Sequence, residues 1–156
     1  MNHRKINHLL STELWAVETY EQALQEKAWK VLGPDPQTQA LFHILVDHVH
    51  AASQLAIEVQ RLGGTPVNGT KAWDSVSHLR MDARLFGDAN PFGDANPFGD
   101  KGALEALKEG EESGLKEYQA VLHHEALSVE VKPLIGSLET KQQAHLRALE
   151  DLMMRV

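Results

Sequence analysis

A chain of 156 residues, 42% of them hydrophobic, is long enough for one domain with a real core. Its formal charge of −7 argues against a nucleic-acid surface, and the absence of cysteine excludes disulfides, thiolate metal sites and cysteine nucleophiles. With no basic run, no secretory core and no apolar stretch of 18 residues, the expectation is a cytoplasmic protein that does not enter a membrane.

The first helix is expected from about Asn2 or Arg4 to Leu32. Laid out at about 100° per residue, Ile6, Leu9, Leu10, Val17, Tyr20 and Leu24 form one apolar stripe, with Glu13 in its middle. A carboxylate in that place is costly to bury without a partner. Gly33 and Pro34 stop the helix, and Asp35-Pro36 offers an N-cap with proline at the first helical position. The second helix then runs to Leu62, where Gly63-Gly64 ends it. Leu41, Ile44, Leu45, Ala52, Leu55, Ala56 and Val59 share a face with His48. So short a link makes helices 1 and 2 antiparallel neighbours.

Residues 65–101 form a long connection. Within it the spacing of Trp73, Val76, Leu79 and Ala83 predicts a shorter helix over 70–86, read as a crossover segment packed on the other helices. A tandem repeat follows: Phe86-Gly-Asp-Ala-Asn-Pro91, Phe92-Gly-Asp-Ala-Asn-Pro97, then Phe98-Gly-Asp100. Its residues favour turns, and Asp88, Asp94 and Asp100 lack the EF-hand ligand pattern. It reads as a duplicated loop without chemistry.

Helix 3 is expected from an Asp100 cap to Ala126, with Glu111 at the centre of a stripe of Leu104, Leu107, Leu115, Tyr118 and Leu122. Ser128 is the expected cap of helix 4, which continues past Pro133 to about Met154 and places His145 among Leu134, Leu138, Leu149 and Leu152. The second half repeats the first. A tyrosine follows each glutamate by seven residues (Tyr20, Tyr118), and the glutamate-to-histidine spacing is 35 residues in one half and 34 in the other. The chain reads as two helical hairpins, each placing one Glu and one His in the core. Two short links and a long middle one permit helices 2 and 3 to run parallel.

Four helices with one polar residue mid-stripe bring Glu13, His48, Glu111 and His145 together. Carboxylate oxygens and neutral imidazole nitrogens are ligands for zinc, iron or manganese, and a divalent cation offsets the burial of two carboxylates. Tyr20 and Tyr118 fall two turns further on, where they can hydrogen-bond to the ligands. A metal-free Glu/His hydrogen-bond network is the competing reading. His123-His124, His3, His8, His43 and His78 show no ligand pairing, and no phosphate-binding loop or nucleophile elbow is present. Trp15 and Trp29 lie off the helix 1 stripe, where they either pack beneath the 70–86 helix or, with Phe92 and Phe98, form the face of a homodimer or larger homo-oligomer.

Leu9-Leu10-Ser11-Thr12-Glu13-Leu14-Trp15-Ala16 resembles the first-helix motif of bacterioferritin-like proteins, whose glutamate binds iron, and Gly110-Glu111 resembles the third-helix Gly-Glu of rubrerythrins. Through Leu62-Gly-Gly-Thr-Pro66, Lys108-Glu-Gly-Glu-Glu-Ser-Gly-Leu-Lys-Glu-Tyr118 and Ala144-His145-Leu-Arg-Ala-Leu149, the chain is similar to an uncharacterised bacterial ferritin-like family with a domain of unknown function. The resemblance implies an all-α, ferritin-like four-helix bundle with a long crossover between helices 2 and 3. Di-iron relatives carry Glu-x-x-His on helices 2 and 4, whereas here Leu45 and Gln142 stand three before the histidines. Without bridging carboxylates the expectation is a single divalent metal ion on Glu13, His48, Glu111 and His145, with Gln142 beside it. A metal-free interaction bundle and a di-iron oxidase or ferroxidase are the alternatives, so enzymatic activity is left open. A register using Asp47 and His50 is set aside, because both lie off the apolar stripe.

Overall fold

The computed structural model describes residues 2–30, 36–68 and 99–155, with side chains over 2–24, 36–68 and 102–155. The expected links at 33–35, the helix over 70–86, the six-residue repeat and the side chain of Trp29 lie outside the described residues. Four helices and no strand are found among the described residues: α1 (Asn2–Lys30), α2 (Pro36–Arg61), α3 (Gly99–Leu122) and α4 (Lys132–Met154). The all-α expectation therefore holds. None of these helices is long and apolar enough to cross a membrane.

α1 packs on α2 and on α3, and α4 packs on α3 and on α2. The Asn7 side chain near the start of α1 donates to the Thr65 carbonyl at 2.8 Å and accepts from the Val67 N–H at 3.0 Å, so α1 and α2 are antiparallel. Thr12 meets Glu117 while Tyr20 meets Glu111, which makes α1 and α3 antiparallel as well. It follows that α2 and α3 run parallel. Asp47 beside His145 and Arg61 beside Glu130 set α2 against α4 in the same antiparallel sense.

The helix ends match the sequence where glycine and proline rule them, and depart elsewhere. α2 closes as expected: Gly63, at φ 82°, and Gly64 donate to the Gln60 and Val59 carbonyls, each at 2.9 Å. This is the paired-bond cap that a left-handed glycine makes. A Cβ on Gly64 would come within 2.9 Å of His3, so this glycine also lets α1 approach. α3 starts at Gly99, ahead of the expected Asp100 cap, and ends at Leu122 rather than Ala126. The chain turns instead at His124, whose Nδ1 accepts from the Ala126 N–H at 3.2 Å. α4 starts at Lys132 rather than at Ser128, and the Ser128 hydroxyl caps nothing. Starting there keeps Pro133 in the first turn, where its missing N–H has no intrahelical partner to lose; further in it would clash with the preceding turn.

The apolar stripes assemble into two clusters. One joins Ile6, Leu9 and Leu10 to Leu55, Val59, Ile135 and Leu138; the other joins Tyr20 to Leu41, Ile44, Leu104, Leu107 and Leu149. Glu13, His48, Glu111 and His145 are buried alongside them, each 2–4% exposed. Of the two places expected for Trp15, the outer dimer face is removed: it is 3% exposed, and Ser11 and Thr19 are buried with it. α1 thus has a second buried side, where the stripe accounts for one. Trp15 lines a small cavity towards Leu107 and Gly110 of α3.

Candidate metal centre

Each of the four polar residues sits near the middle of its helix and within an apolar stripe, so burial holds it in place and turns it towards the others. His48 of α2 is central. Its Nδ1 lies 2.5 Å from Glu13 Oε2 and its Nε2 lies 2.8 Å from Glu111 Oε1. With a carboxylate oxygen at each ring nitrogen, the imidazole is held between two acceptors. Burial works against its charged form, but the Glu111 and Glu13 carboxylates outweigh burial and keep His48 protonated well above its ordinary value of 6.5. Glu111 answers it: burial pushes its carboxyl up, and His48 together with His145 pulls it below its ordinary 4.5.

The tyrosines cross between the hairpins. Tyr20 of α1 donates to Glu111 Oε1 of α3 at 2.6 Å, and Tyr118 of α3 donates to Glu13 Oε1 of α1 at 2.5 Å. Burial and the adjacent carboxylate hold both phenols well above their ordinary value of 10, so they serve as donors. Gln142 of α4 reaches across to donate to the Glu111 backbone carbonyl at 3.1 Å. Gly114 makes room for it, since a Cβ there would stand 2.7 Å from the Gln142 amide nitrogen. The expected outer partners Tyr20, Tyr118 and Gln142 are all in contact with the centre.

His145 of α4 differs from its counterpart. Its Nε2 is 2.9 Å from Asp47 Oδ2 and its Nδ1 is 3.5 Å from Glu111 Oε2. Those last two atoms, His145 Nδ1 and Glu111 Oε2, are buried and make no hydrogen bond. Asp47 is the residue that the sequence reading passed over. It was set aside with His50, yet of the two only His50 is an exposed residue, while Asp47 stands at the rim, its side chain 37% exposed, with Lys141 Nζ 3.6 Å from its other oxygen. Burial would raise the Asp47 carboxyl, but His145 and then Lys141 bring it below its ordinary value.

His48, Glu111 and His145 present donor atoms that all lie within 4.8 Å of one another, close enough to hold a metal ion. An ion with bonds of about 2.0–2.2 Å in tetrahedral geometry holds its ligands roughly 3.4 Å apart, so the widest of these separations would close by somewhat more than an ångström around it. Glu13 falls outside this group and sits behind the His48 ring. The four-residue set read from sequence thus becomes three facing donors and one carboxylate at the back. A cavity with about 20 Å³ of room for the centre of a water molecule adjoins them, lined by His48, Glu111, Thr12, Ala16 and Gly110 among others. That is space for about one water.

The charges set a pH dependence for the metal-free protein. Glu111 has a lowered carboxyl, so its share of stability is whole above 4.5 and is lost as pH falls through the lowered value. His48 is raised, so its share is whole below 6.5 and is lost as pH climbs through the raised value. The stability gap between wild type and His48→Gln should therefore be widest between pH 4.5 and 6.5 and narrow below that window and well above it. Urea melts of both proteins across the range check this; a gap that does not change with pH would mean the pair is not ionic.

Comparison with protein-family models, with curated proteins and with solved structures gave no match.

Proposed function

We propose that the chain is a ferritin-like metal-binding protein that holds one divalent cation, zinc, iron or manganese, in its core. The observation that carries this reading is the facing triad of His48, Glu111 and His145, with two of its atoms buried and unpartnered 3.5 Å apart. A cation between Glu111 Oε2 and His145 Nδ1 satisfies both. It also balances the charge, because two buried carboxylates against one imidazolium leave an excess negative charge. A divalent ion with two neutral imidazoles leaves none. Glu13 becomes a fourth ligand only if the His48 ring moves aside. The resemblance of the first- and third-helix motifs to bacterioferritin-like proteins and rubrerythrins supports the ferritin-like part of the reading.

Elemental analysis of protein purified without chelator or affinity metal tests the proposal. The expected result is about one equivalent of divalent metal per chain, with a lower melting temperature after chelation. Metal at the level of the buffer blank, together with a melting temperature indifferent to chelator, would sink it. That outcome would favour the second reading, a metal-free network, which is supported by the two short bonds of His48 and the two tyrosine donors. A di-iron oxidase has less support. Leu45 packs against an apolar cluster and the Gln142 amide is tied to a backbone carbonyl, so neither supplies a bridging carboxylate. Titrating Fe(II) in air while following absorbance separates a simple binder from an oxidase.

Assembly into a homodimer or larger oligomer is part of the same proposal. Trp15 no longer supports it, but Phe42, Val49 and Ile57 are 54%, 44% and 62% exposed and recur every two turns on α2. Light scattering should show more than one chain per particle; a monomer at high concentration ends the idea.

A further inference from the structure

We infer that Asp47 is a positioning residue of the metal centre: its carboxylate holds the Nε2–H of His145, so that the bare Nδ1 faces Glu111. This rests on the reading of the centre as a cation site. A carboxylate only accepts, so an imidazole nitrogen 2.9 Å from Asp47 Oδ2 must carry the proton. In a neutral ring that leaves Nδ1 with a lone pair, and Nδ1 is the atom facing Glu111 Oε2 at 3.5 Å. Two acceptors turned towards each other in a buried space repel, unless a cation lies between them or the ring takes up a second proton, which a cation would replace. Asp47 fixes the arrangement that creates this need.

His48 has the same layout of a carboxylate on either side, although both its nitrogens hold protons in the metal-free protein and a cation would displace the one on Nε2. Glu13 holds its Nδ1 from behind and its Nε2 faces Glu111 Oε1. Each histidine therefore turns one nitrogen to Glu111 and gives the other to a carboxylate, and the carboxylates come from different helices. The donor set is then two histidines and one glutamate, with Glu13 and Asp47 behind the rings. Such sets leave coordination positions open and suit zinc or ferrous iron. The carboxylate behind a ligating histidine sets its tautomer and raises its basicity, with effects of about 10–100-fold on affinity.

The test uses the full chain with Co²⁺ as a visible probe, and two readouts. The first is the Co²⁺ dissociation constant for wild type, Asp47→Ala, Asp47→Asn, Asp47→Glu and the control Lys141→Ala. The second is the tautomer of His145, read from ¹⁵N chemical shifts of the metal-free protein, which needs no metal binding. The expected result is Nε2–H in wild type and affinity about 10–100-fold weaker in Asp47→Ala. Asp47→Asn, which still accepts a hydrogen bond, should keep the tautomer and lose less affinity, Asp47→Glu should recover most of it, and Lys141→Ala should be silent. Equal Co²⁺ affinity in wild type and Asp47→Ala overturns the inference, as does an Nδ1–H tautomer in wild type. If wild type binds no divalent metal, the proposed function fails by itself. The ¹⁵N spectra then still decide: a tautomer that Asp47→Ala leaves unchanged refutes the positioning role, and one that becomes mixed upholds it.

Discussion

Replacing His48 with alanine is expected to destabilise the metal-free protein by about 3–5 kcal/mol, the usual cost of removing one partner from a buried charged pair. The side chain is 2% exposed and lies between Glu13 and Glu111, each almost as buried. Without it, two carboxylates face one another in a core that has no other described cation within reach of both. Tyr20 and Tyr118 still donate one hydrogen bond to each, which softens the loss but supplies no positive charge. For a chain of this size the change corresponds to a fall in melting temperature of roughly 10 °C. Calorimetry of chelated protein at neutral pH measures it. A fall within experimental error would mean that one of the carboxylates is already protonated and that His48 bridges nothing of consequence.

Replacing His145 with alanine should give the opposite balance: metal binding lost, and a smaller cost to the metal-free fold of about 1–3 kcal/mol. His145 donates to Asp47, which is half in water, and its other nitrogen stands 3.5 Å from Glu111 without a hydrogen bond. Little is broken when it goes. In the proposed site, however, it would supply one of three facing donor groups among the described residues, and removing a third of that set should abolish binding in a calorimetric titration with Zn²⁺. His50→Ala, on the exposed face of α2, should change neither quantity. Tight binding that survives His145→Ala but fails with His50→Ala would place the site on the wrong side of α2 and α4.

These two substitutions also mark where the sequence could be read and where it could not. The four buried polar residues were legible because each interrupts a stripe of period 3.6 and because the glutamate-to-histidine spacing repeats. Burial follows from the stripe, and convergence follows from having one such residue on every helix. Periodicity gives His48 and His145 equal weight, though, and the structure does not. Which carboxylate each imidazole meets depends on how α2 and α4 are set against their neighbours, and no single-helix pattern carries that information. Asp47 was missed for the same reason. It sits at the edge of the α2 stripe and gains its role only from the histidine that α4 brings to it. Trp15 was left between two places because a stripe describes one buried side, and α1 has two. The end of α2 was legible from Gly63-Gly64 because a left-handed turn needs glycine. The start of α4 was not, since Ser128 is a good cap in isolation and the constraint came from Pro133.

The crossing of the two tyrosines makes the hairpins depend on each other. Glu13 and Tyr20 lie on one helix, Glu111 and Tyr118 on another, yet each phenol serves the glutamate of the opposite helix. Glu111 takes its side-chain hydrogen bonds from Tyr20 and His48 of the first hairpin. Glu13, though held by His48 within its own hairpin, needs Tyr118 of the second for its other oxygen, so burying one hairpin without the other is costly in either half. The bonds also act as a key for alignment. A slip of one turn between α1 and α3, about 5.4 Å, would part both phenols from both carboxylates at once, on top of disturbing the apolar packing. The polar centre thus ties one hairpin to one alignment on the other, so the two halves should form and melt in a single cooperative transition.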